Sequence, residues 1–326
     1  MRLELSDDPT AFRASDWGRV VDADPFGTFF HTPDYLKLYW EEFGSGRLVV
    51  ATATDDTTGP VAACALTVED GLLTFLGGFD VTDYMGPVAL PGRAEAFAKE
   101  LFGSVMRDLD WEHADLRGMK AASPWPSLLE DAAAAQGLRV ERHDDGVCPV
   151  LALPATDEEY LAALPAKLRH EIRRKDRRLQ ADLGAYEIEL ATQETLPDLY
   201  DRFIDFHRQS PGPKGKFMHA GMEIFFRRLG EAFLPKGEFT LAFIRVGDAW
   251  PAGIIGFRFG DTFSLYNSAF DREYAQWSPG MVLISGMIRR SIEEGLATFD
   301  LLKGDLEYKK RFGAEPAAVS RLGVAR

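Results

Sequence analysis

One stretch of the chain crowds proton-transfer and charge-holding side chains together: Phe299-Asp-Leu-Leu-Lys-Gly304-Asp-Leu-Glu-Tyr-Lys-Lys-Arg-Phe-Gly313. An apolar strand runs into Gly304, and Glu307, Tyr308, Lys309, Lys310 and Arg311 follow in consecutive positions. Charged groups that follow the end of a central strand are placed to face a ligand crevice. Tyr308 can give a proton to a leaving group, and Asp305 or Glu307 can take one from an attacking amine. Lys309 can hold a phosphate or an oxyanion as a point charge. Upstream, Phe206-His207-Arg208-Gln209-Ser210 runs into a Pro/Gly-rich loop that ends Lys216-Phe217-Met218. Such loops often carry binding residues, which makes Lys216 and Phe217 candidates to touch an acceptor. His207 titrates near neutrality and is a candidate base there.

A second set of residues suits an anion. In Trp277-Ser-Pro-Gly-Met-Val-Leu283, Ser278 reads as an N-cap and Pro279 as the first residue of a helix. Met281, Ile284, Ile288 and Ile292 give that helix a buried stripe, and Gly295 can end it in a left-handed conformation. A helix start exposes N–H groups at the positive end of a dipole. Gly280 has no side chain to obstruct approach, and no acidic residue lies between Gly280 and Leu283. The amides of Gly280, Met281, Val282 and Leu283, with Ser278, are therefore a candidate pyrophosphate cradle. Tyr266 and Asn267, on the strand segment Leu265–Ser268, would lie along the rest of that ligand. A basic helix, Lys167 to Leu179, places Arg169, Arg173 and Arg177 at i, i+4 spacing on one face, with Leu164, Leu168, Ile172 and Leu179 as its apolar stripe. Arg169 and Arg173 are candidate substrate contacts. Taken alone, these features read equally as a well-capped helix, a solvated turn and a solvated basic face.

The elements that would position these groups come in two copies. Val61–Asp80 aligns without a gap on Ala252–Asp271 at an offset of 191. Each copy follows a proline, carries two apolar runs about an acidic turn, and ends Phe-Asp. Strand-like runs precede both, at Leu48–Thr54 and Thr240–Val246. A Pro-Gly pair follows both, Pro91-Gly92 and Pro279-Gly280, and each opens a helical pattern, Arg93–Met106 and Met281–Glu294. A short strand then follows each helix, at Ala114–Arg117 and Phe299–Leu302. Three antiparallel strands, a helix and one more strand, twice over, predict an α/β (α+β) chain with mixed, mainly antiparallel sheets flanked by helices. The expected division is 1–152 and 153–326, with Leu153-Pro154-Ala155 as linker. Thr156 and Glu159 would form a capping box, and Pro165 would open the following helix.

Bulk properties narrow the function classes. The 326 residues carry a net charge of −14. Residues 1–150 hold 12 Lys and Arg against 26 Asp and Glu, whereas the remainder is balanced, so an anionic ligand belongs in the second half. No apolar run is long enough to span a bilayer, no secretory pattern opens the chain, and Cys64 and Cys148 have no metal-like spacing. These features predict a cytoplasmic protein that needs no metal.

SPGMVL followed by IEEGLATFDLLKGDLEYKKRFG resembles the Fem-like (FemAB-like) branch of the GNAT acyltransferase superfamily, in particular the cellulose-biosynthesis-type GNAT acetyltransferases. The resemblance covers Thr156–Phe312 and extends to the first half through the tandem arrangement. It implies two tandem GNAT-like domains and acyl transfer, usually from acyl-CoA such as acetyl-CoA, to an amine or hydroxyl of a small-molecule or cell-envelope precursor. Members close to the peptidoglycan branching enzymes use aminoacyl-tRNA instead, for which the basic helix would be the RNA contact. A non-catalytic ligand-binding protein on a decayed scaffold is the remaining alternative. The usual Gln/Arg-x-x-Gly-x-Gly/Ala loop is only approximated, by Gln276 and Gly280. The first repeat, ending Asp115-Leu-Arg-Gly-Met-Lys-Ala121, lacks the Tyr-Lys-x-x-Phe run and is expected to have no site of its own, instead shaping an acceptor cleft between the domains.

Overall fold

The strand–turn–strand repeat is present in both halves of this computed structural model, which describes residues 1–12, 14–78 and 80–326, apart from the side chains of Ala14, Ser15, Met106, Pro213 and Lys214. Phe79, in the Phe-Asp pair that ends the first copy of the repeat, lies outside the described residues. The chain divides into two units: Met1–Val147 with Ala317–Arg326, and Cys148–Pro316.

The first unit begins β1 (Arg2–Ser6), α1 (Ala14–Ala23), α2 (Pro33–Phe43), β2 (Arg47–Asp55), β3 (Gly59–Glu69) and β4 (Leu72–Phe75). It continues β5 (Val88–Ala89), α3 (Ala94–Asp108), β6 (His113–Lys120), α4 (Trp125–Ala134) and β7 (Arg139–Ala152), along which the chain passes into the second unit. There follow α5 (Asp157–Ala163), α6 (Ala166–Leu183), β8 (Glu187–Leu190), α7 (Leu196–Arg208), α8 (Pro213–Phe217) and α9 (Ala220–Phe233). Then come β9 (Phe239–Val246), β10 (Ala249–Phe259), β11 (Thr262–Phe270), α10 (Pro279–Glu293), β12 (Thr298–Asp300), α11 (Glu307–Lys310) and β13 (Glu315–Ala325).

The two units share one plan. β2–β3–β4 and β9–β10–β11 are antiparallel, a helix follows (α3 or α10), and the next strand returns parallel to the third, β6 on β4 and β12 on β11. A parallel return needs a crossover, which the helix supplies. The hairpin turns pair Glu69 with Leu72 and Phe259 with Thr262, so the structural offset is 190 rather than 191. An apolar run carries no mark of register, and a slip of one residue exchanges the faces of a strand. Pro91-Gly92 also differs from its counterpart. Gly92 adopts φ 78° in a turn and α3 starts two residues later, whereas Pro279 begins α10 itself.

In the second unit β10 is covered on both faces and reads as a continuous buried run. Its glycines are obligatory for packing. A Cβ at Gly253 would sit 2.6 Å from the Phe243 ring, and one at Gly256 2.3 Å from the Phe263 ring. The core joins these strands to α10 and α6 through Leu179, Ile254, Leu283, Ile288, Phe299 and Phe312. In the first unit the core centres on Val49, Cys64, Phe97, Trp111 and Leu129, with Leu322 and Val324 contributed by β13.

Helix boundaries follow local chemistry. Thr156 caps α5 by accepting from the Glu159 amide at 3.2 Å, and Glu159 reaches back to the Ala155 amide at 3.1 Å, one residue earlier than a capping box requires. Pro165 is the cap residue of α6, not its first helical residue. Gly295 ends α10 with φ 72°, while the Leu296 amide bonds back to the Ser291 carbonyl.

Candidate active site

Strand β11 extends to Phe270, but β12 pairs with it only from Thr262 to Ser264. Leu265 to Phe270 therefore lie on a stretch that β12 does not cover. Within it the register on β10 passes from Gly256–Leu265 to Ile255–Asn267, leaving Tyr266 as the extra residue of a bulge. Bulges re-aim side chains and recur beside functional sites. The Tyr266 ring packs on Phe226 and Phe257, at centroid distances of 5.1 and 5.4 Å. The next two residues make the polar contacts: Asn267 Oδ1 accepts from the Ser268 amide at 2.9 Å, and the Asn267 amide nitrogen lies 3.0 Å from His207 Nε2.

Tyr308 comes to this stretch from the other side. Its hydroxyl interacts with the Ser268 side chain, and its ring packs on the same core as Trp277 and Met281. Burial raises the Tyr308 phenol above its ordinary value of 10.0, and the Ser268 bond offsets part of that rise. The phenol is thus a proton donor at neutral pH.

Lys309 has a different task from the one its sequence position predicts. It is only 4% exposed, and its ammonium donates to the carbonyls of Leu302 and Lys303, each at 2.8 Å. Leu302 has a left-handed backbone, φ 56°, and its amide is held at 2.7 Å by Oδ1 of the buried Asp300. A β-branched or bulky residue at positive φ persists only where its surroundings fix it, and a Leu is costly there too. Lys309 and Asp300 supply that constraint, clamping the loop after β12. Two of the three donors of Lys309, predicted to contact a phosphate or oxyanion, are thus turned to the protein's own carbonyls. Asp305 and Glu307 are exposed, and Asp305 is paired with Lys310 at 2.8 Å.

The start of α10 also departs from expectation. Ser278 is in the left-handed region, φ 53°, and makes no side-chain capping bond. Its carbonyl instead accepts from the Met281 and Val282 amides at 3.0 and 3.3 Å. A helix leaves only its first amides unfilled, because the fourth residue after the cap already closes the ladder and Pro279 has no N–H. Val282 and Leu283 thus belong to the helix's own bonding, and Gly280 remains the principal amide of the cradle. A Cβ built there meets nothing within 4 Å, so the approach to it is open, and no acidic side chain occupies the first turn. By contrast, α3 in the first unit has Arg93 as its cap residue, paired with Asp55 at 3.0 Å, and carries Glu95 in its first turn.

Residues not singled out in sequence join the two segments. Glu171 on α6 binds both Lys175 and Arg311 at 3.1 Å, and Lys175 Nζ lies 3.1 Å from Met281 Sδ. Burial works against the Glu171 charge, but the Lys175 bond and the charges of Lys175, Arg311 and Arg174 hold its carboxyl below the ordinary value. One carboxylate thus ties the Tyr-Lys-Lys-Arg run to the first turn of α10. The pair at 171 and 175 about buried Ile172 was the available signal, since i, i+4 partners share a face. Trp277 adds a second tie, donating to Asp182 at 2.8 Å.

The remaining expected contacts separate. His207 is fully buried, with its ring near Phe203 and Phe217 at 6.1 and 5.8 Å, and its Nε2 faces Asn267, which removes it as a solvent-reached base. Phe217 is half-buried on that ring, and Lys216 is exposed. Arg169, a predicted substrate contact, donates through Nη1 to the carbonyls of Leu161 and Ala162 at 3.1 and 3.4 Å, closing the end of α5. Arg173 is exposed on the outer face of α6.

Residues 166–310 match the model of the acetyltransferase (GNAT) domain family. Among solved structures, a conserved protein of unknown function from Bacteroides thetaiotaomicron VPI-5482 aligns over 100% of both chains at 12% identity and a TM-score of 0.68. FemX aligns over 97% of this chain and 96% of its own, at 11% identity and a TM-score of 0.67. L-PGS from Bacillus licheniformis aligns over 94% and 92%, at 11% identity and a TM-score of 0.56. No curated protein matches the chain in sequence. Residues 166–310 thus carry a GNAT domain, and the chain as a whole has the fold of these structures. Among the described residues no helix is long and apolar enough to cross a membrane.

Proposed function

We propose that the protein transfers an acyl group, acetyl in the simplest case, from acyl-CoA to an amine or hydroxyl of a small-molecule or cell-envelope precursor. The observation that carries this reading is the meeting of Tyr308 and Ser268 on the stretch of β11 left uncovered by β12. The donor supplies an activated acyl group. Its phosphates suit the open Gly280 amide at the positive end of α10, with Lys175 beside the first turn. Tyr308 would protonate the departing sulfur, and its burial keeps that proton on the phenol until it is needed. Orientation of two bound substrates would provide much of the rate. The second unit would hold the site, since the corresponding helix of the first is met by its own Arg93, Asp55 and Glu95.

Calorimetric titration with acetyl-CoA, and thiol release with a panel of amino sugars, polyamines and peptide amines, tests the reading. Saturable donor binding with acceptor-dependent thiol release is expected; no binding at millimolar acetyl-CoA would remove it.

One observation favours aminoacyl-tRNA as donor instead. Arg173 and Arg177 are exposed on α6, among the described residues neither pairs with an acidic side chain, and FemX shares the fold. Salt-dependent retention of tRNA, weakened by replacing both arginines with alanine, would support that donor.

A further inference from the structure

We propose that His207 is a positioning residue for Tyr308, acting through Asn267 and Ser268. The inference rests on Tyr308 being the acid of the proposed reaction, but the relay itself is a matter of hydrogen-bond chemistry. Asn267 Oδ1 receives the Ser268 backbone N–H at 2.9 Å, which fixes the orientation of the carboxamide. Its other end, facing His207 Nε2 at 3.0 Å, is therefore the amide nitrogen. An amide nitrogen only donates, so Nε2 accepts, and the imidazole is neutral with its proton on Nδ1.

Each link has a structural cause. α7 packs on β11 and delivers His207 into a slot between Phe203 and Phe217, where the ring is 0% exposed. The bulge at Tyr266 sets Asn267 and Ser268 one position out of step with β10. The Ser268 side chain then interacts with the Tyr308 hydroxyl. A buried amide nitrogen without an acceptor is costly, so removing the acceptor favours turning the carboxamide, which withdraws Oδ1 from the Ser268 amide. Ser268, whose side chain meets the Tyr308 hydroxyl, would then lose the bond that holds its backbone to Asn267. His207 thus governs the direction of the acid's proton without meeting either substrate.

Three substitutions separate this role from packing. Gln places an acceptor oxygen near the position of Nε2, Asn places one near Nδ1, and Phe fills the slot without an acceptor. His207→Gln is expected to retain most of the turnover with acetyl-CoA and the acceptor found in the amine panel. His207→Asn and His207→Phe are expected to lower kcat about tenfold or more with the KM for acetyl-CoA unchanged. Equal losses in all three variants, or losses only in KM, would overturn the proposal. A readout independent of turnover accompanies these: NMR of 15N-histidine-labelled protein should show His207 as the Nδ1–H tautomer near neutral pH. An Nε2–H or doubly protonated ring would overturn the relay, even if another donor replaced acetyl-CoA. Absence of acetyl transfer by the unmodified protein, with the Nδ1–H signature present, would remove the proposed function and leave the hydrogen-bond relay standing.

Discussion

Lys309 places its ammonium 2.8 Å from the carbonyl oxygen of Leu302, a residue whose backbone is left-handed. A lysine in a Tyr-Lys-Lys-Arg run would ordinarily be read as a ligand contact. Here it secures the loop through which the chain passes from β12 to Tyr308. Replacing it with methionine would keep the apolar stem but leave two buried carbonyls without donors. Hydrogen bonds to charged groups contribute about 1.5–3 kcal/mol each, so Lys309→Met should lower stability by about 3 kcal/mol or more. Urea denaturation measures this. An unchanged midpoint with weakened acetyl-CoA binding would mean that the ammonium serves the ligand instead.

Gly280 offers the reverse test, because nothing in the protein lies within 4 Å of a Cβ there. Gly280→Asp places a negative charge in the first turn of α10, which favours the helix by about 0.3–1 kcal/mol. It should nevertheless repel the donor's phosphates. Unchanged or raised melting temperature, combined with a loss of acetyl-CoA affinity by calorimetry, is the expected result.

Tyr308→Phe should reduce kcat by about a hundredfold or more, the usual range for a lost general acid, with the KM for acetyl-CoA little changed. The pH profile adds a sign. Burial raises this phenol above 10.0, so it stays protonated throughout the neutral range. Any decline in turnover due to Tyr308 must therefore begin above pH 10, and a limb near pH 7 in the unmodified protein that vanished in Tyr308→Phe would contradict the assignment.

Glu171 makes a prediction about acid stability. Its carboxyl is held below its ordinary value of 4.5, so in the folded state it stays charged to lower pH than in the unfolded chain. The associated stabilisation is present above pH 4.5 and is lost as pH falls through the folded value. Glu171→Gln should thus be less stable than the unmodified protein at pH 7, and the difference should shrink progressively below pH 4.5. Melting temperatures across that range measure it.

Arg169 and Arg173 should behave differently despite their matched spacing. Arg169→Ala leaves the Leu161 and Ala162 carbonyls without their guanidinium donor and should cost about 1 kcal/mol, whereas Arg173→Ala should lie within about 0.5 kcal/mol of the unmodified protein. Parallel thermal denaturation of the two variants checks the contrast.

These contrasts show which properties of the chain were legible from its residues. Apolar periodicity located both hairpins, α3, α10 and the strands that follow them, because burial imposes those periods directly. Register was not legible: the two β-hairpin copies differ from their sequence alignment by one residue, and apolar runs do not distinguish neighbouring alignments. At the site, types and spacing brought Tyr308, the 265–268 strand and the start of α10 forward. They could not tell whether Lys309 faces a ligand or a backbone carbonyl, since composition is silent on where a buried ammonium points. His207 presented the same difficulty. Its environment is set by Phe203, Phe217 and Asn267, which come from three different elements and are distant from it in chain order only in the last case.

The placement of Ala317–Arg326 in the first unit has a consequence for biogenesis. β13 supplies the strand that pairs with β6, from Val319 opposite Lys120 to Ala325 opposite His113. While a ribosome is still translating the second unit, that edge of β6 has no such partner. At about 5–20 residues per second the interval lasts on the order of ten seconds or more, ample time for an open strand edge to recruit another nascent chain. Maturation of the first-synthesised unit is therefore coupled to the emergence of its last strand, and termination at residue 316 would leave the second unit whole but the first without that strand.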